Sequence, residues 1–174
     1  MADRSASFEE LALPLLDSLY NYAHWMTRSR TEAEDIVQES FLKALRAFDS
    51  FQPGTNFRAW LFRITRNTFL NSRTGLRVTH SVSLDGDNAA TSGIAAQGTP
   101  ESDLFRQRNR AAIERAIENL PPLFREVLLL CDVEEMSYAE IAETLSIPMG
   151  TVTSRLARAR SRLREELQNE VIRE

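Results

Sequence analysis

Cysteine and histidine are almost missing from this 174-residue chain: Cys131 stands alone, and the histidines are His24 and His80. A single cysteine excludes an internal disulfide and any multi-cysteine zinc site, and two histidines leave little for metal or acid–base chemistry. The inventory argues against a typical metalloenzyme, and no metal or cofactor is expected. Lysine is nearly absent too, with Lys43 set against twenty arginines; a GC-rich genome produces such a bias, and arginine also suits phosphate and guanine recognition. No apolar run approaches the ~20 residues of a membrane helix. The opening MADRSASFEELALPLL lacks the basic end and long apolar stretch of a signal peptide. The expected location is the cytoplasm, without membrane insertion.

What is present is an ordinary soluble composition, 43% hydrophobic and 26% charged, with a net charge of −4. That net value hides segregation along the chain. Residues 51–80 sum to +5 and residues 149–164 to +5, while 1–50, 81–103, 104–148 and 165–174 carry −4, −4, −3 and −3. Two basic patches inside an acidic protein point to weak binding of DNA alone, or to binding only after a partner is engaged.

Residues 8–73 show helical periodicity interrupted by Pro53-Gly54, and residues 104–170 become helical again. Between them, 74–103 hold four of the six glycines and few large apolar groups, too few to offset the ordering of a backbone. The expected organisation is all-α: a domain at 1–73, a flexible linker at 74–103 and a second domain at 104–174. Helix starts are signalled by Ser7 with Glu10, Thr31 with Glu34 and Ser137 with Glu140, each a hydroxyl followed three residues later by a carboxylate. Thr99-Pro100-Glu101 marks another start.

The sharpest pattern is SYAEIAETLSIPMGTVTSRLARARSRLREEL, residues 137–167. A short helix buries Ile141, Ala142 and Leu145, Ser146-Ile147-Pro148 turns the chain, and a longer helix carries Val152, Leu156, Ala159, Leu163 and Leu167 on one stripe. This is a helix-turn-helix signature. Opposite the stripe lie Ser154, Ala157 and Arg158, with Thr151, Thr153, Arg155 and Arg162 towards the margins, a set suited to a helix inserted in a major groove. A solvated basic face would interleave acids for i,i+4 pairing, yet residues 149–164 carry five arginines and no acid. Serine at 146 carries a cost if the turn requires a left-handed residue.

The second basic patch is NFRAWLFRITRNTFLNSR, residues 56–73. Phe57, Trp60, Leu61, Ile64 and Thr68 form one apolar stripe, with Arg58, Arg63 and Arg66 largely away from it and Asn67 beside Trp60. Aromatics interleaved with arginine fit single-stranded nucleic acid, although for the individual aromatics, at helical spacing, core packing is the better fit. In TEAEDIVQESFLKALRAF, residues 31–48, an inward stripe of Ala33, Ile36, Val37, Ser40, Ala44 and Phe48 leaves Asp35, Gln38, Glu39 and Arg46 outside with Leu42 among them. A leucine inside a polar ring resembles a small partner site, or is a scattered surface leucine. Cys131 reads as a helix-packing residue.

Together these features resemble the extracytoplasmic function (ECF) sigma factors of bacterial RNA polymerase. AEDIVQESFLKALRAF is similar to the family's polymerase-clamp helix, FRAWLFRITRN to its promoter-melting helix, and LPPLFREVLLL with the helix-turn-helix to its region 4. The resemblance implies a promoter-specificity subunit, a monomer when free. Core polymerase would bind Asp35, Gln38, Glu39, Leu42 and Arg46. The −10 element would be opened and read by Asn56, Arg58, Trp60, Arg63, Arg66 and Asn67, with a flipped base captured by the loop 49–56. The −35 element would meet Thr151, Thr153, Ser154, Arg155, Ala157, Arg158 and Arg162. An anti-sigma factor would control the protein, and any zinc would belong to that partner. Family members often carry a basic residue in place of Thr153 and a bulkier one in place of Ala157. Two other readings stay open on the residues alone: a dimeric helix-turn-helix regulator of a palindromic operator, and a small α-helical enzyme using Glu34, Asp35 and Glu39 with a metal.

Overall fold

The computed structural model describes residues 2–76 and 100–172, and among these every regular element is helical. The first half runs α1 (Ala2–Ala12), a 3-10 turn at Leu13–Leu15, α2 (Leu16–Thr27), α3 (Arg30–Ala47), a 3-10 turn at Phe48–Ser50 and α4 (Phe57–Leu76). The second runs α5 (Pro100–Asn119), α6 (Pro122–Leu128), a π-helical turn at Leu129–Val133, α7 (Tyr138–Leu145) and α8 (Met149–Ile172). The expected linker, 74–103, lies outside the described residues except where α4 and α5 run into its two ends.

The helix starts follow local chemistry with two displacements. At α7 the Ser137–Glu140 box forms in both directions: the Glu140 N–H donates to Ser137 Oγ at 3.3 Å, and the Ser137 N–H donates to Glu140 Oε2 at 2.7 Å. The second bond, helped by the Ser137 hydroxyl, holds the Glu140 carboxyl below the usual range. Ser137→Ala should cost about 1 kcal/mol in urea-denaturation stability, a value that an unchanged midpoint would refute. At α3 the cap is Ser29, not Thr31, because Arg28 ends α2 in the left-handed region (φ 61) and Ser29 is the extended residue that follows. The Ser29 hydroxyl accepts from the Glu32 N–H at 3.3 Å. Ser7 falls inside α1, which begins earlier than its hydroxyl-carboxylate pair suggests, so that box is not formed. A capping residue starts a helix only where its own backbone is extended.

Within the first half α2 packs on α3 and α3 on α4; within the second, α6, α5 and α7 all pack on α8. The two halves also pack on each other, α4 against α7 and α2 against α6, and their buried residues form one continuous apolar cluster. Arg125 sits at this junction, 6% exposed. Its guanidinium donates to the carbonyls of Ile117, Glu118 and Leu120, satisfying the end of α5, and across the junction to the Trp25 carbonyl at 3.2 Å. Burial, with Arg28 nearby, pulls its pKa down, although arginine stays charged.

The π-helical turn extends α6 by a wider ring, with the Glu134 N–H donating to the Leu129 carbonyl at 2.9 Å. It delivers Glu134, 6% exposed, to the face of α4. Cys131 within this turn is half-buried against the core, as expected of a packing residue, and burial pushes its thiol pKa up.

Candidate nucleic-acid and partner interfaces

The helix-turn-helix forms as its pattern predicts. Ser146 ends α7 at φ 55, ψ 45, the left-handed geometry that serine adopts at a cost. Val152, Leu156 and Ala159 bury the inner face of α8. Thr153, Ser154, Ala157 and Arg158 are exposed on the other side, with Thr151 and Arg155 half-buried at its edge. The hydroxyls of Thr153 and Ser154 donate to the carbonyls of Met149 and Thr151, both at 3.1 Å. Their oxygens keep lone pairs to accept from a ligand.

The arginines of α8 divide by role. Arg160 grips Asp132 with two hydrogen bonds, 2.6 and 3.2 Å, and thereby fixes α8 to the π-helical turn. Arg162 is exposed, its guanidinium 5.1 Å from the centre of the Phe124 ring. Arg155 and Arg158 form no ion pair among the described residues, and Arg158 is exposed.

On α4 the expected set separates into two. Trp60 and Arg63 are half-buried, Asn67 is exposed, and the three share one side of the helix. Trp60 leans on Phe51 and Phe57, with ring centres 5.3 and 5.5 Å away. Phe57 in turn meets Phe8 and Phe48. This aromatic cluster seats the loop before α4, where Gly54 takes φ 88 and Asn56 caps the helix by accepting from the Ala59 N–H at 3.0 Å. For most of these rings core packing is the outcome, with Trp60 at the cluster's rim.

The remaining three, Asn56, Arg58 and Arg66, are half-buried; both arginines lie off the apolar stripe, as expected, but border a second buried face. Asn56 Nδ2 donates to Glu140 Oε1 at 2.6 Å, Arg58 Nη2 to Glu134 Oε2 at 2.9 Å, and Arg66 Nε to Glu126 Oε1 at 2.7 Å. The reason is a second buried face. Ala59, Phe62, Thr65 and Phe69 are buried as well as Leu61 and Thr68, so α4 is covered on two sides and its arginines border the junction. Phe62 packs edge-on against Tyr22, whose hydroxyl donates to Glu126 Oε1 at 2.8 Å. Burial, then Glu126, raises the Tyr22 pKa well above its usual value.

All five residues expected at the polymerase surface are exposed on α3: Asp35, Gln38, Glu39, Leu42 and Arg46. Leu42, 54% exposed, is not isolated. It borders an apolar groove of about 480 Å³ lined by Phe8, Glu9, Leu16, Val37, Gln38, Phe41, Leu42 and Leu45. The walls from α1 and α2, formed by Phe8, Glu9 and the exposed Leu16, were not legible in the α3 segment alone. Among the described residues no group of three His, Cys, Asp or Glu side chains is placed to hold a metal, and no helix is long and apolar enough to cross a membrane.

Residues 11–78 match the family described as Sigma-70 region 2, and residues 110–163 match Sigma-70, region 4. The chain is 37% identical over 163 residues to the ECF RNA polymerase sigma factor SigE of Mycolicibacterium smegmatis, covering 92% of this chain and 62% of that protein. It is 34% identical to the ECF RNA polymerase sigma factor SigW of Bacillus subtilis, covering 88% and 84%. Among solved structures it is similar to the sigma factor RpoE of Bartonella quintana, crystallised with the anti-sigma factor NepR. That match has a TM-score of 0.75 at 28% identity, over 93% of this chain and 97% of the other.

Proposed function

The chain belongs to the ECF sigma factors, non-enzymatic initiation factors of bacterial transcription, and from that premise we propose how its surfaces divide the work. The exposed face of α3 bearing Asp35, Gln38, Glu39, Leu42 and Arg46, with the apolar groove that Gln38 and Leu42 border, binds core RNA polymerase. The loop 49–56 and the face of α4 bearing Trp60, Arg63 and Asn67 capture the opened −10 strand, joined by Asn56, Arg58 and Arg66. The outer face of α8 lies in the major groove of the −35 element, where Arg158 reads a base edge, Ala157 and Thr153 line the contact, and Thr151, Ser154, Arg155 and Arg162 hold backbone or base groups. Action is in the cytoplasm. The RpoE match, crystallised with NepR, supports an anti-sigma factor as a further partner here.

The observation that carries the −35 assignment is the pairing of the buried Val152, Leu156 and Ala159 on α8 with an opposite face of short polar side chains and Arg158. An acidic protein with two basic patches gains little from non-specific attraction to DNA. Polymerase binding must supply energy for promoter opening, because extruding a base costs a few kcal/mol.

The test is co-elution with core polymerase followed by transcription from a promoter-fragment library. Promoter-selective transcripts support the assignment. A dimer that shifts a palindromic duplex without polymerase would favour a stand-alone regulator instead. In the same assay Arg158→Ala should lose roughly 1–3 kcal/mol of discrimination between matched and −35-mutant promoters. Equal discrimination by both proteins would remove Arg158 from the base-reading face.

A further inference from the structure

Thr153 is exposed on the outer side of α8, and its hydroxyl is already half spent. The hydroxyl donates to the Met149 carbonyl one turn earlier, at 3.1 Å, so its hydrogen points back along the helix. What is left for a ligand is an acceptor. We propose that Thr153 is a specificity-determining residue of α8, selecting at one −35 position a base that carries an amino group in the major groove, adenine or cytosine, on the strand it faces. The inference rests on the placement of α8 in the −35 major groove made above.

The donor and acceptor pattern of the groove decides which bases fit. Adenine offers N6 and cytosine N4 as donors, whereas guanine presents N7 and O6 and thymine presents O4, all acceptors. An oxygen left with lone pairs alone gains a hydrogen bond from the first two bases and sets acceptor against acceptor with the others. A phosphate oxygen is an acceptor as well, so it does not suit this hydroxyl either. To serve guanine, thymine or a phosphate the hydroxyl must turn and give up the Met149 carbonyl, and that lost bond is the source of the preference. Branching at Cβ restricts such turning, since a helical threonine has two favoured rotamers.

The side chain is short, so α8 must come close to the base edge. Its outer surface permits this. Gly150, Ser154, Ala157 and Ser161 recur along one line of the helix, all exposed. A Cβ added at Gly150 would meet nothing within 4 Å, and Gly150 does not take a positive φ. Neither packing nor backbone geometry requires glycine there, and its bareness leaves room for DNA to approach. Ala157, one turn on from Thr153, puts only a methyl group on that side of the next turn.

The test is transcription by core polymerase with the full chain, from promoter fragments randomised across the −35 element and read by sequencing the transcripts. The unaltered chain should favour adenine or cytosine over guanine or thymine at one position, on the order of tenfold. Thr153→Val keeps the branched shape and removes the hydroxyl. It should bring that preference to within about twofold and leave the position read by Arg158 as it was, whereas Thr153→Ser should retain the preference. Thr153→Arg, which puts a fork of donors in place of the acceptor, should move the same position to guanine.

Three results overturn the inference. A position flattened by Thr153→Val that had favoured guanine or thymine makes the hydroxyl a donor; a uniform loss over all sequences makes it a phosphate contact; no change at any position leaves it no role in reading. Failure of the underlying assignment looks different. If Arg158→Ala still flattens another position, α8 reads the element and only the role of Thr153 falls. If neither Thr153→Val nor Arg158→Ala alters any position, α8 does not read the −35 element.

Discussion

Core RNA polymerase should no longer co-elute with a Leu42→Asp chain, although the chain should fold as before. Leu42 is 54% exposed at the edge of the groove that Leu16, Phe41 and Leu45 continue, so nothing in the core depends on it. Surface substitutions away from caps and buried pairs change stability by about 0.5 kcal/mol or less. Binding is different, because a partner closing over the groove would bury the new side chain. The lost burial of a leucine is worth about 1.5–3 kcal/mol, and the carboxylate adds its own desolvation cost. Together these amount to at least about 3 kcal/mol, or more than about a hundredfold in affinity. Competition for core polymerase against the unaltered chain measures the effect. Equal competition would move the polymerase surface off α3.

That groove also shows how much of the molecule could be read from sequence and where such reading stops. Leu42 stood out because its neighbours on the helix surface are polar, and helical periodicity is a local property. The same locality made α7, the left-handed Ser146 and the buried stripe of α8 legible. The groove's far wall comes from Phe8, Glu9 and Leu16, residues whose place beside α3 is set by tertiary packing. The arginines of α4 are the clearer case. Periodicity placed Arg58 and Arg66 off an apolar stripe, which is true of that stripe. No local rule announces that Phe62 and Phe69 bury a second one, or that Glu134 and Glu126 wait 76 and 60 residues away. Arg125 and Glu126 were hidden for a related reason. A charged pair inside LFREVLLL looks like the polar interruption of an amphipathic helix, and only a helix end on one side and a second domain on the other make it buried. The displaced cap at Ser29 turned on Arg28 adopting φ 61, a backbone choice made by the turn rather than by the capping residues.

Glu126→Ala should be the most destabilising of these changes, by about 3–5 kcal/mol. The carboxylate is 3% exposed and serves two donors at once, the Tyr22 hydroxyl at 2.8 Å and Arg66 Nε at 2.7 Å. Removing it leaves a buried hydroxyl without an acceptor and a guanidinium, 17% exposed, without its counter-charge. Both donors come from the first half and the acceptor from the second, so the loss falls on the junction. Urea denaturation should show a lower midpoint and, with the halves uncoupled, a smaller slope, because each unit then exposes less surface on unfolding. The penalty is one of stranded partners rather than of a missing attraction. Pairing Glu126→Ala with Arg66→Leu should therefore recover part of the stability, since a buried ion pair replaced by apolar groups is often neutral. A single-variant loss below about 1 kcal/mol would mean that water reaches Arg66 and Tyr22, and that the junction is held by its apolar contacts alone.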